Sequence, residues 1–392
     1  MTGVDRWMLP EGVDELLPAQ ARVAERMRRD LLDLFASWGY QLVMPSLIEF
    51  TDSLLIGLGQ DVDIQTFRLT DQISGKPMAV RADITPQAAR IDAHSMQARD
   101  VNRLCYAGSV LHARPQALLA SRCPIQVGAE LYGDASSNAD IEMMSLMLET
   151  LRAARIESLT LDLGHVDIVR TIMQVLRSRC PAFNDDRQAQ LFDALQRKSI
   201  PDLQRLSSEL QLDDQAQSVL LALPGLCGGV SVLVEARHVL LGDFAAALPA
   251  IDQLEQVASC LQSRFDGVDL YLDLAELRGY DYHTGLVFAA YTDGYGRALA
   301  NGGRYDEIGE VFGAARPATG FNTDLKALVD LSEDQGVDGC ADAIHAPQDN
   351  CETLWQAVCR LRRDGETVIY GDRQGQCTRQ LVANGDQWDV VG

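Results

Sequence analysis

The clearest periodic pattern in the chain lies between Gln20 and Trp38. Its large apolar residues recur at alternating steps of three and four, and they are Ala24, Met27, Leu31, Leu34, Phe35 and Trp38. Charged residues fill the opposite face, so the pattern predicts an amphipathic helix with one buried face. Gly39 follows directly and predicts the end of this helix, because glycine readily adopts the left-handed conformation that closes helices.

Short runs in which apolar and polar residues alternate predict strands. The first, Tyr40–Met44, ends at Pro45, which suits an edge or an interface because proline has no N–H for a central ladder. The other runs are Met78–Arg81, Leu104–Leu111, Ile125–Leu131, Leu159–Leu163, Val268–Leu274 and Leu286–Tyr291. Alternation is typical of a sheet with one solvated face, so we expect a largely antiparallel sheet rather than a doubly wound one.

Helical patterns lie between these strands. Asp140–Arg155 and Asp167–Arg179 each predict one helix. Phe183–Arg264 is rich in Leu, Ala and Gln and is interrupted by prolines, so it predicts an all-α insertion in a β-rich core.

The chain changes character after Leu331. Ser332–Gly339 is acidic and short of large apolar residues, which is typical of a linker. The remaining residues can form a helix over Leu354–Arg363 and two or three short strands. We therefore expect a core over residues 1–330, with its helical insertion at about 183–264, and a linker with a small C-terminal domain over residues 331–392.

Composition excludes several classes of function. The 392 residues include 34 Lys+Arg and 56 Asp+Glu, which gives a net charge of −22 and disfavours binding to nucleic acids. No apolar stretch reaches the roughly 20 residues of a membrane span, and the N-terminus does not resemble a secretory signal. The nine cysteines form no Cys-x-x-Cys pair, so we expect no metal site and a cytoplasmic protein with reduced thiols.

Four segments in a fixed order carry a more specific signal. They are Leu9–Pro18, Val80–Arg90, Leu277–Phe288 and Ala300–Asp306. Together they resemble the catalytic core of class II histidyl-tRNA synthetases, and the Arg-Gly-x-Asp-Tyr and Gly-Gly-Arg-Tyr-Asp elements are the histidine-specific marks. The resemblance implies an α+β fold, in which an antiparallel sheet is flanked by helices, and dimerisation through the first helix and the strand with Pro45.

Residues that this family uses for ATP are missing. The Arg and Glu of its Phe-Arg-x-Glu segment correspond to Leu111 and Ala113, a register that the following Arg-Pro-Gln at 114–116 fixes. Ala327 stands where a second Arg belongs, and Asp324 replaces a glycine beside the nucleotide. Losing one preorganised transition-state donor lowers a rate by roughly 10²–10³-fold, so we expect that the chain does not adenylate an amino acid.

The amino-acid pocket of that family is better preserved. The residues that the resemblance implies for histidine binding are Asp83, Thr85, Gln126, Glu130, Arg278, Tyr282, His283 and Tyr305. Asp83 and Thr85 would take the α-ammonium, Glu130 an imidazole N–H and Arg278 the α-carboxylate. Tyr282 and Tyr305 would pack against the imidazole ring of the bound histidine. His283 stands where the synthetases place a second Tyr.

A chain that keeps the histidine pocket but lacks the ATP site resembles the regulatory subunits of ATP phosphoribosyltransferase, a family of synthetase paralogues. The resemblance implies a subunit that has no chemistry and no cofactor of its own. It would form a homodimer within a hetero-oligomer, sustain the short catalytic subunit in the first step of histidine biosynthesis, and respond to histidine as effector without binding tRNA. Two alternatives stay open: a divergent active histidyl-tRNA synthetase, and an amino-acid sensor with another partner.

Overall fold

The computed structural model describes residues 8–54, 64–96, 101–115, 120–280, 282–308, 315–332, 343–371, 377–385 and 387–392. The helices in these ranges are α1 Pro18–Ser37, α2 Thr51–Leu54, α3 Thr85–Ile91, α4 Ser137–Ala153, α5 Val166–Arg179, α6 Asp185–Gln196, α7 Ile200–Glu209, α8 Asp214–Ala222, α9 Val232–Val239, α10 Leu248–Arg264, α11 Leu325–Leu331 and α12 Glu352–Arg363. The strands are β1 Gln41–Leu42, β2 Ile48–Phe50, β3 Phe67–Thr70, β4 Pro77–Val80, β5 Asn102–Ser109, β6 Ile125–Tyr132, β7 Leu159–His165, β8 Cys227–Gly228, β9 Val268–Asp273, β10 Leu286–Tyr291, β11 Ala300–Arg304, β12 Ala318–Asp324, β13 Ile344–Ala346, β14 Val368–Tyr370, β15 Arg379–Asn384 and β16 Gln387–Val391.

The described strands include a nine-stranded sheet, in the order β1-β5-β6-β12-β11-β10-β7-β9-β8. Six of its eight neighbouring pairs are antiparallel, and the pairs β1–β5 and β7–β9 are parallel. Helices α4 and α10 pack against it, and β2, β3 and β4 form a separate antiparallel sheet. The predicted α+β class is therefore confirmed, and the sheet is mixed rather than wholly antiparallel.

The first helix follows its sequence pattern closely. Leu31 and Phe35 are fully buried, and the Phe35 ring meets the edge of Phe321 with 6.1 Å between centroids. Gly39 closes the helix at a φ of +83°, a region that favours glycine. The next strand, β1, lies at one edge of the large sheet as predicted, although it is only two residues long.

The helical insertion comprises α6 to α10, which agrees with the prediction except at one point. Cys227 and Gly228 pair with Asp273 and Leu272 as the edge strand β8 of the large sheet. The prediction of an all-α insertion is therefore wrong there. A two-residue strand leaves no periodic pattern in a sequence, because alternation needs four or more residues to be visible.

The chain divides into two compact units. One contains Met1–Asp14 and Arg26–Ser332, and the other contains Glu15–Glu25 and Glu333–Gly392. In the second, α12 packs on the sheet β14-β13-β15-β16, and its buried core residues are Ile344, Ala346, Leu354, Val358, Val368 and Leu381. The predicted linker, apart from Ser332, lies outside the described residues. No helix that the structure describes has the length and apolar character of a membrane span.

Candidate functional site

Strands β6, β11 and β12 and the start of α3 surround two adjoining cavities. The smaller cavity has a volume of about 200 Å³, and its lining residues are Asp83, Thr85, Glu130, Tyr282, His283, Asn301, Gly302, Gly303, Tyr305, Gly320, Phe321 and Asn322. Six of the eight residues predicted for histidine binding are among them. Gln126 and Arg278 are the two that do not line it.

Glu130 lies at the floor of the smaller cavity and is only 1% exposed. Its Oε1 accepts a hydrogen bond from the Tyr106 hydroxyl at 2.9 Å, and its Oε2 accepts one from the Tyr305 hydroxyl. Burial raises the pKa of Glu130 well above its ordinary range, although the bond from Tyr106 opposes this shift. Glu130 thus offers a buried hydrogen-bonding carboxyl group to a ligand.

The β6–β12 pairing explains why Glu130 has this space. Gly320 is the register partner of Glu130, and a Cβ added there would overlap Oε2 of Glu130 and lie 2.8 Å from the Tyr305 hydroxyl. Only glycine at position 320 leaves room for the carboxyl group to reach the cavity.

Asp83 is held in place at the end where α3 begins. Its Oδ1 accepts hydrogen bonds from the Thr85 backbone N–H at 3.0 Å and from Nε2 of Gln126 at 2.8 Å. The other side-chain atom of Gln126, Oε1, accepts from the Ile84 N–H at 2.8 Å. Gln126 therefore orients Asp83 and lines the larger cavity, whereas Asp83 lines both.

Aromatic rings form another wall of the smaller cavity. Tyr282 stacks on Tyr305 with 5.3 Å between centroids, and His283 meets the edge of Tyr282 at 5.2 Å. Nδ1 of His283 donates to the Arg304 carbonyl at 3.3 Å, which leaves Nε2 as an acceptor. Burial lowers the pKa of His283 to about 4, so this imidazole is neutral at physiological pH.

Arg278, which was predicted to bind the α-carboxylate, has several protein partners. Its guanidinium donates to Glu276 Oε2 at 2.6 Å, to Asp162 Oδ2 at 2.6 Å and to the Tyr291 hydroxyl at 2.8 Å. With two carboxylates and a hydroxyl as partners, it lines neither cavity. The neighbouring Asp281, part of the same motif, lies outside the described residues.

The larger cavity has a volume of about 500 Å³. Its lining residues are Gln65, Ala82, Asp83, Val110, His112, Ser121, Pro124, Gln126, Tyr295, Arg297, Ala298, Leu299, Asn301, Asn322, Thr323 and Asp324. Of the four positions predicted as lost, only Asp324 lines it. Leu111 and Ala113 alternate with Val110 and His112, which do line it.

The carboxyl group of Asp324 accepts hydrogen bonds from the protein backbone. Its Oδ1 accepts the N–H groups of Ile125 and Lys326, each at 3.1 Å, and it caps the start of α11. Burial raises the pKa of Asp324. His112 is also buried; its Nε2 donates to the Ala82 carbonyl at 3.0 Å, and burial lowers the pKa of His112. Among the described lining residues of the larger cavity, Arg297 is the one lysine or arginine.

Asn301 and Asn322 line both cavities, although neither was predicted. Asn301 directly precedes the Gly-Gly-Arg-Tyr-Asp element, so its position beside that motif was an available signal. Asn322 is its register partner on β12, and only the strand pairing brings the two together. No group of three or more metal-ligating side chains occurs among the described residues.

Comparison with known proteins places this architecture in one family. The family model described as histidyl-tRNA synthetase matches residues 12–328. A second family model, described as the ATP phosphoribosyltransferase subunit HisZ C-terminal domain, matches residues 341–391. An ATP phosphoribosyltransferase regulatory subunit from Pseudomonas aeruginosa is 49% identical over 402 residues, which cover 100% of this chain and 99% of that protein. The chain belongs to the family of ATP phosphoribosyltransferase regulatory subunits.

Solved structures share the same fold. A Bacillus halodurans protein described as an ATP phosphoribosyltransferase regulatory subunit/histidyl-tRNA synthetase superposes with a TM-score of 0.78 at 26% identity, covering 94% of this chain and 93% of that one. A chain of the Thermotoga maritima ATP phosphoribosyl transferase (HisG:HisZ) complex has a TM-score of 0.58 at 16% identity, covering 79% and 98%. This regulatory subunit therefore has a histidyl-tRNA synthetase-like fold.

Proposed function

We propose that this regulatory subunit has no catalytic activity of its own, sustains a short ATP phosphoribosyltransferase catalytic subunit, and transmits histidine feedback to it from the smaller cavity. The observation that carries the histidine site is the buried carboxyl group of Glu130 beneath the stacked Tyr282 and Tyr305 rings. Feedback then amounts to a coupling free energy between this cavity and the active site of the partner, typically 1–3 kcal/mol.

The contacts of the cavity suit histidine at both of its ends. An imidazole N–H would donate to the carboxyl group of Glu130, which already accepts two tyrosine hydroxyls. The α-ammonium would lie at Asp83 and Thr85, where Gln126 and the Thr85 backbone hold the carboxylate in place. A neutral His283 adds an acceptor rather than a repelling charge.

The loss of adenylation remains part of this proposal. Leu111, Ala113 and Ala327 supply no charge where a triphosphate would need it. The described lining of the larger cavity includes Asp83 and Asp324 but only one arginine. Like charges near a polyanion are unfavourable, so this cavity is a poor site for ATP. We also place the protein in the cytoplasm, as its reduced thiols suggest.

The partner and the oligomeric state come from the family. The relatives are named as regulatory subunits, and the Thermotoga maritima structure is named as a HisG:HisZ complex. Homodimerisation would use α1 and the β1 edge, where Leu42 is 44% and Met44 is 78% exposed. Exposed apolar side chains at an open sheet edge are typical of an interaction surface.

The test is phosphoribosyl-ATP formation by the short catalytic subunit, with and without this chain and with added histidine. We expect activity to depend on this chain and to fall as histidine is added. The Glu130→Ala variant should sustain activity but require about ten-fold more histidine for inhibition, since leaving a buried hydrogen-bonding group without its partner costs about 1–3 kcal/mol.

Glu142→Ala is the matched control, because Glu142 also accepts a tyrosine hydroxyl, that of Tyr40 at 3.0 Å, and lines neither cavity. Its histidine response should equal that of the unmodified protein. Activity that is indifferent to this chain would refute the regulatory role. Histidine-dependent pyrophosphate exchange into ATP would instead support an active synthetase.

A further inference from the structure

We propose that Arg297, rather than Arg278, neutralises the α-carboxylate of the bound amino acid and thereby makes the pocket prefer a ligand that carries one. This inference rests on the proposed histidine site and identifies a specificity-determining residue for it. It follows from the charges that line the two cavities and from the contacts that already engage Arg278.

The smaller cavity contains no cation for a carboxylate. Its lining includes the carboxyl groups of Asp83 and Glu130 and, among the residues that the structure describes there, no lysine or arginine. The His283 imidazole is held in a neutral state by burial. A bound amino acid would therefore leave its carboxylate unpaired unless that group reached a cation outside this cavity, because buried charges need partners.

Arg278 is poorly suited to be that cation. All three nitrogens of its guanidinium donate to protein acceptors, namely Glu276, Asp162 and the Tyr291 hydroxyl. The single positive charge of Arg278 is already balanced by two half-buried carboxylates, so a ligand carboxylate would bring a third negative charge to the same cation. Arg278 would therefore add little affinity for a ligand carboxylate.

Arg297 is a cation in the adjoining cavity. It lines the larger cavity, and Asp83, Asn301 and Asn322 line both cavities, so the two spaces adjoin where the α-ammonium is proposed to bind. The ammonium and the carboxylate are attached to the same carbon atom. When the ammonium of the amino acid contacts Asp83, its carboxylate can therefore point into the larger cavity.

The local contacts of Arg297 leave the two terminal nitrogens of its guanidinium group available to a ligand. Its Nε donates to the Tyr295 hydroxyl at 2.8 Å, and the guanidinium lies 4.8 Å from the centroid of the same ring. Its two terminal nitrogens make no hydrogen bond to any residue within the described ranges. A guanidinium held by one edge presents parallel donors that match a carboxylate.

The other charged or titratable side chains that line the larger cavity do not occupy the terminal nitrogens of Arg297. Asp324 lies near enough for Arg297 to affect its ionisation, but its Oδ1 is bound by the N–H groups of Ile125 and Lys326. Asp83 is engaged by Gln126, and burial keeps His112 neutral. Arg297 is the one positively charged side chain among the described lining residues of either cavity.

Isothermal calorimetry with the full chain tests this assignment by comparing histidine with histamine, which keeps the imidazole and the ammonium but has no carboxylate. We expect Arg297→Met to weaken histidine binding about ten- to a hundred-fold, the usual effect of losing a charge-assisted contact, and to change histamine binding less than two-fold. Arg297→Lys should recover part of the histidine affinity, because it retains the charge but not the fork.

Arg152→Met is the matched control. The Arg152 guanidinium lies 4.9 Å from the Phe265 ring centroid, so the variant removes the same charge from a similar aromatic stack that lines neither cavity. It should bind both ligands as the unmodified protein does. If Arg297→Met leaves histidine binding unchanged, or weakens histamine equally, the assignment of Arg297 is refuted while the proposed histidine site stands. If the unmodified protein binds neither ligand, the site and this inference both fall.

Discussion

Gly320 shows how a single residue sets the shape of the candidate site. Any Cβ at this position would overlap the Glu130 carboxyl group and crowd the Tyr305 hydroxyl. We predict that Gly320→Ala lowers the free energy of unfolding by about 1–3 kcal/mol, the usual effect of overpacking a core, and abolishes histidine binding. Urea denaturation and calorimetry measure the two effects.

Gly225 provides the control for this change. A Cβ added there has no neighbour within 4 Å, and its φ is outside the left-handed region. Gly225→Ala should therefore leave both stability and histidine binding nearly unchanged. Equal effects of the two substitutions would contradict the role that we assign to Gly320.

Individual site residues could be predicted only as far as a motif contains them. Asp83, Thr85, Glu130, Tyr282, His283 and Tyr305 were identified from sequence and line the smaller cavity. Arg278 was identified in the same way, but it lines neither cavity and forms ion pairs with Asp162 and Glu276. A motif fixes which side chain is present, whereas a partner such as Asp162 comes from a distant part of the chain.

Strands β7 and β10 hold the ion-pair cluster around Arg278 together. Asp162 lies on β7, Tyr291 lies on β10, and Glu276 precedes Arg278 by two residues. Burial raises the pKa of Asp162 to about 6. The Arg278 guanidinium opposes this shift, and the nearby carboxylate of Glu276 adds to it. The charged form of Asp162 is therefore disfavoured by folding.

The sign of the resulting pH dependence can be tested. Between about pH 4 and pH 6 the folded state holds more protons on Asp162 than the unfolded state does, so its contribution to stability falls as pH rises through this window. We predict that the free energy of unfolding of the unmodified protein, minus that of Asp162→Asn, falls by about 2–3 kcal/mol from pH 4 to pH 7. Urea denaturation across this range measures the difference, and a constant value would contradict the assignment.

Long periodic elements could be predicted from sequence, and short ones could not. The helix α1 and the strand β6 appear close to their predicted bounds, because their buried faces repeat over many residues. Strand β8 has two residues and is defined only by its pairing with β9. Pairing with a distant segment leaves no periodic signal in the shorter partner.

The chain divides into two compact units, and the described residues of the candidate site lie in the larger one. Every described residue that lines the two cavities falls between Gln65 and Asp324, within the larger unit. The smaller unit has its own core, in which Leu354 of α12 is fully buried. We predict that Leu354→Ala destabilises the smaller unit by about 2–5 kcal/mol, because it leaves a cavity, and does not change histidine affinity.

Hydrogen exchange of β13 to β16 would detect this local loss of stability, and calorimetry would check the affinity. Trp355→Ala is the control, since its side chain is adjacent but 52% exposed, and it should leave exchange in these strands nearly unchanged. A large fall in histidine affinity with Leu354→Ala would mean that the cavities depend on the smaller unit.

The sequence by itself determined the α+β class, the family resemblance and the chemical types of most pocket residues, because these follow from local periodicity and from side chains within short motifs. The tertiary structure decided which of those side chains meet. Register between β6 and β12 places Gly320 opposite Glu130, and the position of β7 gives Arg278 its partner Asp162. Contacts between residues more than a hundred positions apart depend on chain topology, which no local pattern encodes.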